Sequence, residues 1–135
     1  MTWLYNGEEY KGEDIADWTG FVYLITNLAT GKKYIGKKLL WFAKQRIING
    51  KKKRTKVESD WRNYWSSSEE VKRDVETFGE GNFKREILHF CKNKGTTSYL
   101  EAKEQFVNEV LENPELWYNG QIQCRIHKSH IKLNK

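Results

Sequence analysis

Two tyrosines, Tyr23 and Tyr34, are the first residues whose types and spacing could support chemistry. They lie in two short runs, the apolar Phe21 to Ile25 and Lys32 to Gly36, on either side of a turn sequence, which predicts an antiparallel hairpin. Directly opposed residues of such a hairpin point to one face, with side chains about 4.5–5.5 Å apart. A turn centred between Leu28 and Ala29 would pair the two phenols, and a slip of one residue would send them to opposite faces. Taken alone, the pair is more simply interpreted as the aromatic packing that strands favour.

One carboxylate, Glu101, is the other candidate for chemistry. It lies in the first turn of a predicted long helix, beside apolar residues, where an acid could also simply stabilise the helix start. The sequence contains no Cys/His set with zinc-ligand spacing, no Gly-rich phosphate loop before a helix and no nucleophile elbow. The histidines have no partner in the sequence pattern, so we expect them to be structural or exposed.

The elements that must position these side chains follow from turn signals and hydrophobic periodicity. The predicted elements are strands over 21–25 and 32–36, a hairpin at Asn6-Gly7, a helix from a Ser66–Glu70 capping box to Gly79, a strand over Phe83–Cys91, a helix over about 98–112 and a strand over 121–127. In the second helix the predicted inward stripe includes Phe106, Val107 and Leu111. This order predicts an α+β fold with a small central, mainly antiparallel sheet flanked by helices.

Length and composition predict a single domain over residues 1–135. No apolar run approaches the roughly 20 residues of a membrane helix, and no secretory signal begins the chain. Cys91 and Cys124 lie in apolar patterns without metal-ligand spacing, which predicts reduced core residues. A cytoplasmic location is therefore expected.

The net charge of +6 is unevenly distributed, because residues 32–56 hold eleven Lys or Arg and no acid whereas residues 1–20 hold five acids and one Lys. The Asn49-Gly50 pair predicts a basic hairpin or a flexible arm here. A basic block flanked by aromatic residues favours a nucleic-acid partner over a merely solvated loop. The predicted phosphate contacts are Lys37, Lys38, Lys51, Lys52, Lys53 and Arg54.

Taken together, the motifs resemble the GIY-YIG nuclease domain over about residues 20–120. The residues that carry the resemblance are Phe21-Val22-Tyr23, Asn27, Tyr34-Ile35-Gly36, Phe78-Gly79, Asn82-Phe83, Glu101 and Tyr118-Asn119-Gly120. The first signature keeps its tyrosine but lacks its glycine. An inserted basic segment, here residues 43–58, makes the chain similar to small stand-alone family members that phages encode. For such a protein the expected location would be the host cytoplasm. Residues 1–19 would then be a structural extension, and 121–135 a C-terminal strand and basic tail.

The resemblance implies a metal-dependent endonuclease that hydrolyses DNA phosphodiester bonds by a one-metal, tyrosine-assisted mechanism. Tyr23 would act as, or position, the general base, and Tyr34 would hydrogen-bond at the same site. Glu101 would bind one Mg²⁺ or Mn²⁺ ion, and Asn119 would support the site or the phosphate. Lys37, Lys38 and the metal are the groups expected to lower the pKa of a tyrosine.

The family also implies an arginine that stabilises charge on the phosphate. Arg62, on a predicted short helix, is the first candidate, and Arg46 is the alternative. Both phenols are required to share a face with the Glu101 carboxylate.

Two other functions remain open at this point. The chain could be a catalytically inactive nucleic-acid-binding module on the same fold, or a protein that binds an acidic host protein. The expected partner is DNA, without a membrane or a small-molecule cofactor, and the chain is expected to be a monomer or a homodimer.

Overall fold

The computed structural model describes residues 2–134, which form strands, two α-helices and short 3-10 turns. The strands are β1 (Trp3–Tyr5), β2 (Glu8–Tyr10), β3 (Gly20–Asn27), β4 (Lys33–Leu39), β5 (Trp41–Ile48), β6 (Lys51–Glu58) and β7 (Phe83–Cys91). The helices are α1 (Glu69–Phe78) and α2 (Lys94–Val107). None of the helices in these residues combines the length and apolar character that a membrane span needs.

Five of the strands form one sheet in the order β2-β1-β7-β3-β4, and β5 and β6 form a separate two-stranded sheet. Within residues 2–134, the pair β1–β7 is parallel and the other strand pairs are antiparallel. The predicted α+β class with a mainly antiparallel sheet is therefore confirmed. The N-terminal extension belongs to this sheet, because β1 pairs with β7 and buries Trp3.

The β3–β4 hairpin has a different register from the predicted one. Tyr23 is opposite Gly36, and Tyr34 is opposite Ile25. The turn closes at the Asn27 N–H, which donates to the Lys32 carbonyl at 2.8 Å. The predicted pairing was wrong by two residues, and because side chains alternate with period two, both phenols still point to the same face.

Helix α1 begins and ends as its sequence predicts. The Ser68 hydroxyl accepts from the Val71 N–H at 3.3 Å, and Gly79 ends the helix with a φ of +87°. Val71 and Val75 pack into the core on the face of the sheet that holds Tyr23.

Helix α2 begins at Lys94, earlier than the predicted 98, because the Asn93 side chain caps it by accepting from the Thr96 N–H at 2.8 Å. Its predicted stripe is partly wrong, because Phe106, Val107 and Leu111 are exposed. The helix packs on the other face of the sheet, above Val22 and Ile35.

The predicted strand over residues 121–127 is absent, and Cys124 is exposed whereas Cys91 is buried. A strand forms only where another backbone offers partners, and the free edge of β4 is already used. There the Lys33 N–H donates to the Leu116 carbonyl at 2.9 Å, and the Tyr118 N–H donates to the Lys33 carbonyl at 2.7 Å.

Candidate active site

Tyr23 and Tyr34 lie side by side on one face of the β3–β4 hairpin, with ring centroids 6.2 Å apart. Tyr23 is only 1% exposed, whereas Tyr34 is half-buried. Gly36, opposite Tyr23, has a steric reason to be glycine, because a Cβ there would overlap the Tyr23 hydroxyl. Tyr23 thus packs behind Tyr34 and is shielded from solvent.

The surroundings of Tyr23 favour the neutral phenol. Burial raises its pKa well above the ordinary value, and the neighbouring phenols of Tyr64 and Tyr34 add to the increase. Neither Lys37 nor Lys38 is among the groups that shift this pKa. Lys38 instead bonds to Asp60 at 2.6 Å and lies 4.2 Å from the Tyr64 ring centroid.

Glu101 lies near Tyr34 at the outer edge of β4. Helix α2 packs on the face opposite the phenols, so the requirement that Glu101 share their face is not met. The side chains meet at a cavity of about 170 Å³ beside that edge. Its lining residues are Tyr34, Lys37, Glu101, Gln105, Gln121 and Gln123.

Charge in this cavity is balanced between one carboxylate and one ammonium. Burial raises the pKa of Glu101, and the Lys37 charge and backbone N–H lower it in part. The Lys37 ammonium is held by the Ser98 hydroxyl at 2.7 Å. Glu101 and Lys37 are therefore the residues of opposite charge that line this cavity.

Gln105 supplies a buried oxygen without a partner. Its Nε2 donates to the Ile35 carbonyl at 3.1 Å, but its Oε1 has no hydrogen-bond partner among the described residues. Gln105 lies one helical turn after Glu101, so both side chains project toward the same edge. That spacing was the sequence signal that could have identified Gln105.

The oxygen atoms of Glu101 and Gln105 are of the chemical kind that binds magnesium. Mg²⁺ is usually bound by one or two carboxylates, water and substrate phosphates. Glu101 and the partnerless Gln105 Oε1 are oxygen donors of this kind. Within residues 2–134 no cluster of three or more His, Cys, Asp or Glu could hold a metal by itself.

Asn119 fastens the edge strand that carries Tyr34 and Gly36. Its Oδ1 accepts from the Ile35 N–H at 3.0 Å, and its Nδ2 donates to the Ile35 carbonyl at 2.8 Å. The buried amide therefore acts as a backbone partner for β4. The predicted role of Asn119 in supporting the site agrees with this position, whereas its amide groups are not free to contact a phosphate.

The family model described as "Putative endonuclease segE, GIY-YIG domain" matches residues 3–122. The chain belongs to the GIY-YIG nuclease superfamily. Comparisons with curated proteins and with solved structures gave no match. Membership supports a nuclease function for the chain.

In this GIY-YIG domain the predicted catalytic arginines lie away from the cavity. Arg62 bonds to Glu58 at 3.0 Å and donates to the Lys11 carbonyl at 2.9 Å. Arg46 lies on the exposed β5–β6 hairpin, opposite Lys53. Among the described residues no arginine lines the cavity, and Lys37 is the cation there.

Sequence reasoning missed a buried arginine, Arg85 on β7. Its guanidinium lies between the rings of Trp3 and Trp65, at 4.6 and 4.4 Å from their centroids. It donates to the Tyr64 carbonyl at 2.8 Å, and burial lowers its pKa to about 10. Arg85 thereby holds the loop that presses Tyr64 against Tyr23. Arg85 lies at one of the alternate positions of β7 that point into the core, beside Phe83 and Ile87. Nothing in the sequence indicated its aromatic partners.

Proposed function

We propose that this GIY-YIG domain is a metal-dependent endonuclease that hydrolyses phosphodiester bonds of DNA at the edge of β4. The observation that carries the proposal is one cavity, lined by Glu101, Tyr34 and Lys37, in a chain of an endonuclease family. Phosphoryl transfer requires mainly positioning and stabilisation of charge, which these three groups can provide.

Tyr34 is the phenol that contacts the substrate in this proposal. It lines the cavity, whereas Tyr23 is buried behind it with a raised pKa. Tyr34 would hydrogen-bond to the attacking water or the scissile phosphate, and Tyr23 would hold the Tyr34 ring in place. Of the two roles that the sequence left open for Tyr23, positioning is therefore the one proposed.

Lys37 is proposed to stabilise negative charge on the phosphate. It takes the place that the sequence analysis gave to Arg62 or Arg46, because neither arginine lines the cavity. A lysine is a compact point charge and does not offer the two parallel hydrogen bonds of an arginine. Lys38, bound to Asp60, is not proposed for this role.

Glu101 and Gln105 Oε1 are the groups that would hold one Mg²⁺ or Mn²⁺ ion. When bound, such an ion stabilises negative charge on the leaving oxygen of a phosphodiester. The residues themselves provide a desolvated carboxylate and an acceptor oxygen that nothing else in the described chain uses.

The test is plasmid cleavage by the Glu101→Gln protein in the presence of Mg²⁺. This change keeps the side-chain shape and removes the charge, so we expect cleavage to fall at least about 100-fold while the fold is retained. Glu104→Gln is the matched control on the same helix, because Glu104 pairs with His89 at 2.8 Å, outside the cavity. Equal cleavage by the two variants would reject Glu101 as part of the site.

A catalytically inactive DNA-binding module is the second candidate. The absence of an arginine among the described residues that line the cavity favours it. It predicts salt-sensitive retention of DNA without cleavage in Mg²⁺, Mn²⁺ or any other divalent metal. Cleavage that Glu101→Gln removes would exclude it.

A further inference from the structure

The β5–β6 hairpin extends from the domain as an exposed ribbon of two strands. All side chains from Phe42 to Ile48 and from Lys51 to Arg54 are exposed. Its base is fixed: Leu40 is fully buried, and the Trp41 Nε1 donates to the Trp18 carbonyl at 3.0 Å. A two-stranded hairpin is only marginally stable by itself, so the exposed body of the ribbon contributes little to the core.

The ribbon also contains positive charges that repel one another and do not stabilise its fold. Arg46 is directly opposite Lys53, and like charges in opposed positions destabilise a strand pair. Residues 42–57 contain seven Lys or Arg and no acid: Lys44, Arg46, Lys51, Lys52, Lys53, Arg54 and Lys56. A polyanion bound along the ribbon would relieve this repulsion.

The register divides the ribbon into two different faces. Gln45 is directly opposite Arg54, and Ile47, which is 74% exposed, lies on the same face opposite Lys52. The other face carries Lys44, Arg46, Ile48, Lys51, Lys53 and Thr55. Both faces carry an arginine and an exposed isoleucine, so the feature specific to the first face is the amide of Gln45 opposite a guanidinium, whereas the second carries more charge.

These features fit the major groove of duplex DNA. That groove, about 12 Å wide, admits a two-stranded β-ribbon, and strands of eight residues span roughly 27 Å. Arginine recognises guanine, glutamine recognises adenine, and apolar side chains contact the thymine methyl group. A ribbon that only bound phosphates would need its positive charges, but it would not need a glutamine opposite an arginine.

We infer that the β5–β6 ribbon enters the major groove of DNA and reads base sequence with Gln45 and Arg54. The inference rests on the proposed function, and it adds a determinant of sequence preference to a domain whose cavity contacts only the phosphodiester. The lysines of the opposite face contact phosphates and set affinity.

The experiment uses the full chain to select bound duplexes from a pool of randomised DNA. It is carried out in EDTA, so that binding is measured without metal-dependent cleavage. We expect the parent protein to enrich a short motif. Gln45→Ala should lose preference at one position by roughly 5- to 150-fold, the value of one good bidentate contact, with unchanged affinity for random DNA. Thr55→Ala, a neutral truncation on the other face, should leave the motif intact.

A charge-matched pair separates reading from phosphate binding. Arg54→Gln should relax the motif, whereas Lys53→Gln should weaken binding to all sequences alike and reduce the salt slope by about one. Circular dichroism of each variant reports whether the domain is folded.

Enrichment of no motif by a parent protein that binds and cuts DNA would overturn the inference and leave the proposed function intact. Equal affinity for double-stranded RNA would also overturn it, because the deep, narrow major groove of RNA excludes the ribbon. A protein that neither retains nor cuts DNA would overturn both.

Discussion

At the scale of residues, the two tyrosines have different environments although they share one face of the hairpin. Tyr23 is enclosed by Tyr34, Tyr64 and the hydrogen atoms of Gly36, and Tyr34 lies between this cluster and the cavity. Tyr23 lies in a strand without charged residues and Tyr34 in a strand with three lysines, and the packing around them leaves one phenol buried and the other half-buried. The proposed division into a positioning and a contacting tyrosine follows from that difference.

The electrostatic coupling of Glu101 and Lys37 gives a pH prediction. Lys37 lowers the pKa of a carboxyl that burial raises, so Lys37→Met should raise the pKa of Glu101 further. Glu101 must be ionised to hold a cation, and the acidic limb of the pH profile of kcat/KM is therefore expected to move to higher pH.

Lys103→Met, an exposed change on the same helix, should leave that limb in place. A limb that stays or moves to lower pH in the Lys37 variant would contradict the coupling.

The raised pKa of Glu101 also affects the stability of the fold. Because the folded state holds the Glu101 proton more tightly than the unfolded chain, the ionised carboxylate destabilises the fold above both pKa values, and this cost disappears as the pH falls through the folded pKa.

At the scale of elements, β4 is an edge strand whose outer side is paired with side chains and loop backbone. The outward backbone groups of Lys33 bond to the loop at 116–118. Those of Ile35 bond to Asn119, and the N–H of Lys37 bonds to Glu101. This arrangement holds the strand straight beside the cavity, and it prevents the edge from pairing with another chain.

Asn119→Ala is therefore expected to lower the free energy of unfolding by about 1–3 kcal/mol, because the buried Ile35 N–H loses its acceptor. The Ile35 carbonyl keeps its bond from Gln105. Urea denaturation measures the change, and Asn63→Ala, at an exposed position, should remain within about 0.5 kcal/mol of the parent. Similar losses in both variants would show that Asn119 does not fasten β4.

Turn chemistry explains which elements could be predicted. Asn6-Gly7 and Asn49-Gly50 both adopt positive φ angles in two-residue hairpin turns, as their sequence predicts. The Ser68 cap and Gly79 likewise define α1 through local contacts. The start of α2 and the missing strand over 121–127 depended instead on contacts with distant parts of the chain, which no local pattern contains.

At the scale of the whole molecule, positive charge is concentrated in residues 32–56, on β4 and the ribbon, and the acids of residues 1–20 lie on the N-terminal strands and the loop after them. A duplex approaching the domain would meet the basic side first, since phosphate contacts dominate both affinity and encounter rate.

Replacement of Lys44, Lys51 and Lys53 by glutamine should reduce the slope of log affinity against log salt by about 2–3, at roughly 0.9 per phosphate contact. Fluorescence anisotropy of a labelled duplex at several salt concentrations measures this slope. Replacement of the exposed Lys103 alone should leave it unchanged. A slope that the triple change does not alter would place the DNA elsewhere on the domain.

The sequence by itself determined the fold class, both Asn-Gly hairpins, the face shared by the two phenols and the residues that identify the family. These depend on local turn geometry and on the period-two alternation of strands, which a register error of two residues does not change. Only the tertiary structure decided that Glu101 and Tyr34 line one cavity at a sheet edge, that Lys37 rather than Arg62 or Arg46 lines it with them, and how deeply Tyr23 is buried. Those outcomes depend on the packing of α2, β4 and the loop at 116–119, which lie far apart in the chain and meet only when the core forms.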